Sequence, residues 1–327
     1  MNPRRRNLIA LGSAVFIAPR ILAAQQPVKV YRVANLGVGS PTTTGVFFDN
    51  FKKGLRDLGY IEEQNIVIDA RWAEGKAERL PGLAAELAAL NPDVIIASGT
   101  PGTRAAKQAT ATIPIVMIGV ADPVGAGLVA SLAHPGGNIT GVSNLSLDLS
   151  GKTLELLHAV VPKATRIAVL MSDDPIHSFL LKEIQDAAKG FGLTVLPTRA
   201  KSPEELERAF ASIANEKAQA VIVLADVVFS GQRKKIAELA AQAKLPSMYQ
   251  FREHTEAGGL LSYGPDSRNL QRVVAAYVDK ILKGAKPGDL PVQQPTEFEL
   301  VINMKTAKAL RITIPQEILL RTDKVIE

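Results

Sequence analysis

The residue types that most often carry out covalent catalysis are absent or isolated in this sequence of 327 residues. There is no cysteine, which excludes a thiol nucleophile, a thiolate metal site and a disulfide. The histidines form no His-Glu-x-x-His motif and no pair with zinc-ligand spacing. A Gly-x-Ser-x-Gly nucleophile elbow is also lacking. The sequence therefore predicts no catalytic residue, no metal site and no cofactor, and a protein that is not an enzyme.

Two stretches come close to nucleotide-binding patterns without completing them. Gly37-Val38-Gly39 follows an apolar run, but Thr42 stands where a dinucleotide motif needs its third glycine. Residues 146–153 nearly match a phosphate-binding loop, with Ser146 in place of the first glycine. We interpret both as coincidences.

Residues that could contact a small solute lie at or just after predicted strands. They are Ser40, Ser98, Gly99, Thr100, Ala121 and Asp122 in the first half of the chain, and Asp173, Asp226, Tyr249, Tyr263 and Gly264 in the second. The first group offers hydroxyls and the free N–H groups of a helix start, which favour a carboxylate. The second offers an acid for an ammonium group and rings for an apolar side chain. Taken singly, most of these residues could equally be helix caps; the whole set predicts a site for a zwitterion.

The elements that must position these residues follow from the hydrophobic pattern. Short apolar runs, at residues 30–38, 66–72, 94–98 and 115–120, alternate with segments of helical periodicity. The same order recurs with runs at 167–171, 193–196, 220–224 and 247–251. Near-continuous apolar strands are typical of parallel sheets covered on both faces. The sequence therefore predicts an α/β protein with two doubly wound parallel-sheet lobes, joined at the turn-rich residues 134–138.

The tail is predicted to return to the first lobe before it ends in the second. Asp266 or Ser267 can cap a helix that runs to Leu282, and proline-marked extended chain and two short helices follow. We expect one lobe to comprise residues 28–142 and about 266–292, and the other to comprise 143–265 and about 296–327. Several connections of this kind make a multi-strand hinge, and a cleft at the carboxyl ends of the strands can close by hinge bending.

The first 24 residues are predicted to be an export signal. Arg4, Arg5 and Arg6 precede an apolar stretch at residues 8–18, and cleavage after Ala24 is expected. The stretch is too short to span a bilayer. The pair Arg5-Arg6 also resembles a twin-arginine signal, and an ordinary secretion signal is the alternative. The mature protein is expected in the periplasm or another extracytoplasmic space.

Charge does not predict a nucleic-acid partner. Four of the 38 basic residues lie in the first 24 positions, which leaves 34 basic residues against 32 acidic ones. The folded part is therefore close to neutral, unlike a typical nucleic-acid-binding domain. With 46% hydrophobic residues, the chain is also too apolar to be disordered.

Several phrases along the chain resemble a known family. They are NPDVIIASGTP at 91–101, IPIVM at 113–117, DPVGAGLVASL at 122–132, PGGNITG at 135–141, EAGGL at 256–260, SYG at 262–264 and FELVINMKTAKAL at 298–310. On these phrases the sequence resembles the ABC-transporter substrate-binding proteins of tryptophan/tyrosine type, which have the type I periplasmic-binding-protein fold.

The resemblance implies an exported receptor that closes around a small solute and delivers it to a membrane permease and its ATPase. It also implies a monomer, a pocket that includes Gly99, Thr100, Asp122, Asp226 and Tyr263, and a solute that is an amino acid or a related carboxylate. Known relatives bind aromatic amino acids, whereas an aromatic content of 5% does not indicate a rich aromatic cage here.

Two other functions remain open on the residues alone. An enzyme could occupy the same scaffold, since a fold does not determine a function, but the sequence offers acids without a partnered histidine. A ligand sensor that works with a membrane receptor is the second alternative. A DNA-binding regulator is disfavoured because the export signal occupies the place of its DNA-binding helices.

Overall fold

The computed structural model describes residues 29–143 and 149–327, so the predicted export signal and the near phosphate-loop residues 146–148 lie outside the described residues. The described strands form two sheets. In chain order the strands are β1 (Tyr31–Gly37), β2 (Ile66–Trp72), β3 (Val94–Ser98), β4 (Ile115–Val120), β5 (Ile139–Ser143), β6 (Arg166–Met171), β7 (Thr194–Arg199), β8 (Ala220–Val223), β9 (Ser247–Tyr249), β10 (Leu261–Pro265), β11 (Phe298–Asn303) and β12 (Lys324–Ile326).

The helices cover both faces of each sheet. They are α1 (Pro41–Asp57), α2 (Leu80–Ala89), α3 (Gly99–Ala109), α4 (Leu149–Val160), α5 (Pro175–Phe191), α6 (Leu206–Asn215), α7 (Val227–Gly231), α8 (Arg233–Gln242), α9 (Arg252–Glu256), α10 (Ser267–Leu282), α11 (Met304–Leu310) and α12 (Gln316–Leu319). No helix in the described ranges is both long enough and apolar enough to cross a bilayer.

The first lobe is built on five parallel strands in the order β2-β1-β3-β4-β5. Alternate residues of β1 point to opposite faces, as a strand requires. Ala34 and Leu36 pack with α2 and α3, whereas Val33 packs with Phe51 of α1 and Val274 of α10. Helix α10 therefore belongs to the first lobe, although it follows the second lobe in the chain.

The second lobe is built on seven strands in the order β12-β11-β10-β9-β8-β6-β7. Helices α4 and α5 cover one face of this sheet, and α6 and α8 cover the other. The alternating α/β fold with two sheet lobes that the sequence predicts is thereby confirmed.

Two details differ from the prediction. Residues 134–138 do not join the lobes, because β5 follows them and pairs with β4 inside the first sheet. Strand β11 runs antiparallel to β10, with Pro265 opposite Phe298, in a sheet expected to be parallel. The reason is the path of the tail: the chain leaves β10 for the first lobe and re-enters beside the end of β10 that it left, without the crossover helix that a parallel partner needs.

Candidate functional site

The two lobes meet across a cleft at the carboxyl ends of their strands. On one side of this cleft, the Arg233 guanidinium donates hydrogen bonds to the backbone carbonyl of Thr43 in the first lobe and to that of Ser230 in its own lobe. Elsewhere, a Cβ atom placed on Gly99 would lie 3.1 Å from Cγ1 of Val227 in the opposite lobe. The hydrogen bond between the lobes and the close approach of Gly99 to Val227 show that the cleft is closed.

A deep apolar pocket opens from this cleft into the first lobe, between its sheet and helices α1 and α10. We call it the aromatic slot. It encloses about 870 Å³ of empty space, including space open to solvent. Its apolar and aromatic walls are Phe47, Phe48, Phe51, Trp72, Ile96, Ile118, Phe251 and Leu270. Its polar lining is Asn35, Thr44, Ser98, Ser230, Ser267 and Gln271. Every polar side chain in the slot is neutral, so the slot suits an uncharged aromatic or apolar group.

Local sequence explains how the slot keeps its aromatic floor. Gly37 and Trp72 are register partners at the ends of β1 and β2. A Cβ atom on Gly37 would lie 2.3 Å from Cε3 of Trp72, so only glycine lets the indole lie against the strand. The ring of Phe48 meets the indole edge-on, with ring centroids 5.7 Å apart. Helix α1 thus holds its aromatic residues over the sheet at a spacing close to one turn.

A second space in the cleft, which we call the charged compartment, adjoins the slot. It encloses about 1090 Å³, again partly open to solvent. Val38, Gly119 and Val227 line both spaces, so the two are contiguous. The charged side chains that line the compartment are Arg104, Asp173, Asp174, Lys201 and Asp226. The start of α3 lies at the boundary, with Ser98 lining the slot and Gly99 lining the compartment.

The acids of the compartment already have protein partners. Asp226 caps α7: its Oδ1 accepts from the N–H groups of Val228 at 2.7 Å and Phe229 at 3.4 Å. Its other oxygen, Oδ2, accepts from the Ser172 hydroxyl at 2.8 Å. Asp173 lies 2.7 Å from Lys201 and 3.1 Å from Arg199. The hydrogen bond from Lys201 is the main cause that lowers the pKa of Asp173. By contrast, Arg104 makes no ion pair within the described residues.

A serine, a histidine and an aspartate meet beside this compartment, which the sequence did not predict. The Ser172 hydroxyl lies 3.1 Å from Nδ1 of His177 and donates to Asp226. However, Nδ1 also accepts the backbone N–H of Ser172 at 2.9 Å, and Nε2 faces the carbonyl of Ala225 at 3.1 Å. In a catalytic triad the acid orients the histidine, whereas here it contacts the serine. The three residues tie β6, α5 and α7 together.

The residues predicted from the sequence fall into three groups. Ser98, Gly99, Thr100, Ala121, Asp173 and Asp226 line the slot or the charged compartment. Ser40 lines a smaller gap between the lobes and caps α1, where its hydroxyl accepts the N–H of Thr43. Asp122, Tyr249, Tyr263 and Gly264 line neither the slot nor the compartment.

Local packing accounts for this last group. Asp122 accepts the N–H of Gly125 at 2.8 Å in a turn. Tyr249 is fully buried in the second core, and burial raises the pKa of its phenol to about 12. The ring of Tyr263 contacts Phe298. A Cβ atom on Gly264 would lie 2.2 Å from the carbonyl oxygen of Gln250, so its place needs glycine for packing.

The sequence did not indicate Asn35 or most of the aromatic lining as ligand contacts. Phe47 and Phe51 are read as the core face of a helix, and Trp72 as the end of a strand. The content of aromatic residues is low, but the fold gathers five of them at one place. Asn35 did carry a signal, since it is a polar residue whose neighbours Val33, Ala34 and Leu36 in the strand are all apolar.

Comparisons with known proteins agree with this architecture. Residues 44–326 match the family model described as ABC transporter substrate binding protein. A tyrosine-binding protein of Clostridioides difficile (strain R20291) is 33% identical over 262 residues, which cover 80% of this chain and 75% of that protein. A structure from Streptococcus pneumonia in complex with L-Trp is 29% identical, with a TM-score of 0.83 over 91% of this chain and 100% of that one.

A third relative bears on the state of the cleft. The ligand-free, open structure of a substrate-binding protein with adhesive properties from Clostridium difficile is 27% identical. It covers 91% of this chain and 99% of its own, yet its TM-score is only 0.64. This identity is nearly the same as that of the tryptophan complex, so sequence divergence does not explain the lower TM-score. The lower TM-score agrees with lobes that are arranged differently in the open structure and in this one. The family model matches most of the length of this chain, so the chain belongs to the family of ABC transporter substrate-binding proteins.

Proposed function

We propose that the protein is an extracytoplasmic receptor that captures an aromatic amino acid between its lobes and delivers it to an ABC permease and its ATPase. The observation that carries the choice of ligand is the aromatic slot, which has five aromatic side chains and no charged one in its lining. A pocket of this lining takes a ring and rejects a charged side chain.

The zwitterionic end of the ligand belongs at the boundary between the slot and the charged compartment. There the first N–H groups of α3 and Arg104, which has no ion-pair partner among residues 29–143 and 149–327, favour a carboxylate. Asp226 faces the same compartment and is the acid that we assign to the ammonium group. The names of the relatives support this choice, because one is a tyrosine-binding protein and another was solved with L-Trp.

Export and partners follow from the same assignment. The arginine-rich, apolar start of the chain supports export, and the family supports a permease as partner. We assign binding rather than catalysis, because His177 is held by backbone groups and Asp226 caps a helix. We expect the receptor to act as a monomer.

Calorimetric titration of the purified protein with tryptophan, tyrosine, phenylalanine, leucine and lysine tests the proposal. We expect at least one aromatic amino acid to bind more tightly than leucine, and lysine not to bind. Phe48→Ala removes part of the wall beside Trp72 and is expected to raise the Kd at least tenfold, since burying an aromatic side chain contributes about 2 kcal/mol or more.

The matched control is Phe179→Ala, which removes a ring that is 61% exposed on α5, outside the slot. It is expected to leave the Kd unchanged. Failure of all three aromatic amino acids to bind, or equal effects of the two alanine variants, contradicts the assignment.

A further inference from the structure

Asn35 is the buried polar residue of the slot whose side chain hydrogen-bonds no other residue in the part of the chain that the structure describes. Its side chain lines the slot and is 95% buried, since only 5% of its surface is exposed. Within the described residues, its amide makes no side-chain hydrogen bond. The amide is open to the slot, where it is the polar group among the apolar residues Ile96, Ile118 and Phe51. A few polar groups placed in an apolar pocket of this kind fix the orientation of a ligand.

The place of Asn35 in the sheet defines which part of a ligand it can contact. Gly37 stands at the cleft end of β1, beside Trp72, and forms the outer part of the floor. Asn35 points to the same face two residues earlier, which is about 6.6 Å deeper along the strand. It pairs in register with Ile96, another residue of the lining. Asn35 therefore lies at the inner end of the slot, away from the charged compartment.

We propose that Asn35 is the specificity-determining residue of the slot, and that it hydrogen-bonds a polar group at the far edge of the ligand's ring. This inference rests on the proposed function, which places the ring in the slot and the zwitterion at its mouth. The amide can accept from an indole N–H and can both donate to and accept from a phenol hydroxyl. The slot then selects tyrosine or tryptophan over phenylalanine, which would leave the amide unpaired.

The test compares the Kd values of tyrosine, tryptophan and phenylalanine for the wild-type protein and for Asn35→Leu, which keeps a similar volume. We expect the wild-type protein to bind tyrosine or tryptophan at least tenfold more tightly than phenylalanine. In Asn35→Leu this preference is expected to disappear, because the favoured ligand loses affinity while phenylalanine is unaffected or improves. The ligand that loses most affinity identifies which of the two side chains the amide contacts.

A melting curve of the ligand-free variant shows whether the substitution changes the stability of the protein as well as its binding. Asn35→Leu removes an amide that makes no protein hydrogen bond, so the melting temperature is expected to stay unchanged or to rise. A variant that fails to bind because it is unfolded would show a lower melting temperature instead. A variant that melts well below the wild-type protein contradicts the absence of a partner. Equal binding of all three ligands, or an equal loss for all three in the variant, overturns the role of Asn35 while the proposed function stands. If none of the three binds the wild-type protein, the proposed function itself fails.

Discussion

A buried histidine in the second lobe shows how one residue couples the fold to pH. His254 is only 4% exposed, and its ring stacks on Tyr249 with the centroids 4.8 Å apart. Burial is the main cause that lowers the pKa of His254 to about 4, and the positive charge of Arg233 adds to the effect. The histidine is therefore neutral in the folded protein at pH values where it is already protonated in the unfolded chain.

This difference predicts a loss of stability in mild acid. Between pH 6.5 and about 4 the unfolded state binds a proton that the folded state does not, so the free energy of unfolding falls as the pH falls. Each pH unit in this window lowers the free energy of unfolding by about 1.4 kcal/mol.

His254→Phe keeps a ring against Tyr249 and removes the titration. Urea unfolding at pH 7.5 and pH 5 is expected to show a loss about 2 kcal/mol larger in the wild-type protein than in the variant. An equal loss in both proteins contradicts the assignment.

Asp226 at the start of the short helix α7 has two roles to separate, as the N-cap of the helix and as a contact for the ligand. Asp226 caps this helix through two backbone N–H groups and also holds the Ser172 hydroxyl. At the same time it lines the charged compartment. Replacing Asp226 by alanine removes the cap and the charge together, so a loss of binding in that variant has two explanations.

Asp226→Asn separates the two roles, because asparagine is also a good N-cap but carries no charge. We expect this variant to melt close to the wild-type protein and to bind the amino acid about tenfold more weakly, since a hydrogen bond to a charged group contributes about 1.5–3 kcal/mol. Asp226→Ala is expected to lose about 1 kcal/mol of stability in addition. Binding of wild-type strength in Asp226→Asn would show that Asp226 serves only the helix.

At the scale of the whole molecule, the closed cleft is held by contacts between the lobes. Arg233 at the start of α8 donates a hydrogen bond to the carbonyl of Thr43 in α1. Gly99 and Val227 lie so close across the border of the slot and the charged compartment that a Cβ atom on Gly99 would be 3.1 Å from Val227. A contact made only in the closed state favours that state by its own free energy. Arg233 therefore acts on the affinity for the solute without lining the slot or the compartment.

Arg233→Met keeps an unbranched apolar stem and removes the guanidinium with its donors. We expect the solute to dissociate about fivefold faster, as for the loss of about 1 kcal/mol from one hydrogen bond, with a smaller change in the association rate. Stopped-flow fluorescence measures both rates, since Trp72 lines the slot. Lys234→Met, at the exposed neighbouring position, is the control and should leave both rates unchanged. Equal rates in Arg233→Met and the wild-type protein contradict a role in closure.

Much of the fold was predictable because it depends on local patterns. Alternating apolar runs and helical segments identify the strands, and three predicted strands of the first half, at 66–72, 94–98 and 115–120, have the observed bounds. The helix from Ser267 to Leu282 was likewise readable from its cap and its periodicity. The antiparallel β11 was not, since its direction depends on where the tail re-enters the second lobe.

The class of the protein could be predicted from its residues: an alternating α/β chain of two lobes, with family phrases along most of its length and polar residues at strand ends. Which ligand the site can bind depends instead on how the two lobes fold and pack. Phe48 of α1, Trp72 of β2, Phe251 before α9 and Leu270 of α10 are far apart in the chain and meet in one slot. Local periodicity shows that such side chains are buried but not which neighbours they face. A pocket at a lobe boundary arises from long-range packing, so neither the aromatic slot nor the unpaired Asn35 within it could be seen before the lobes were assembled.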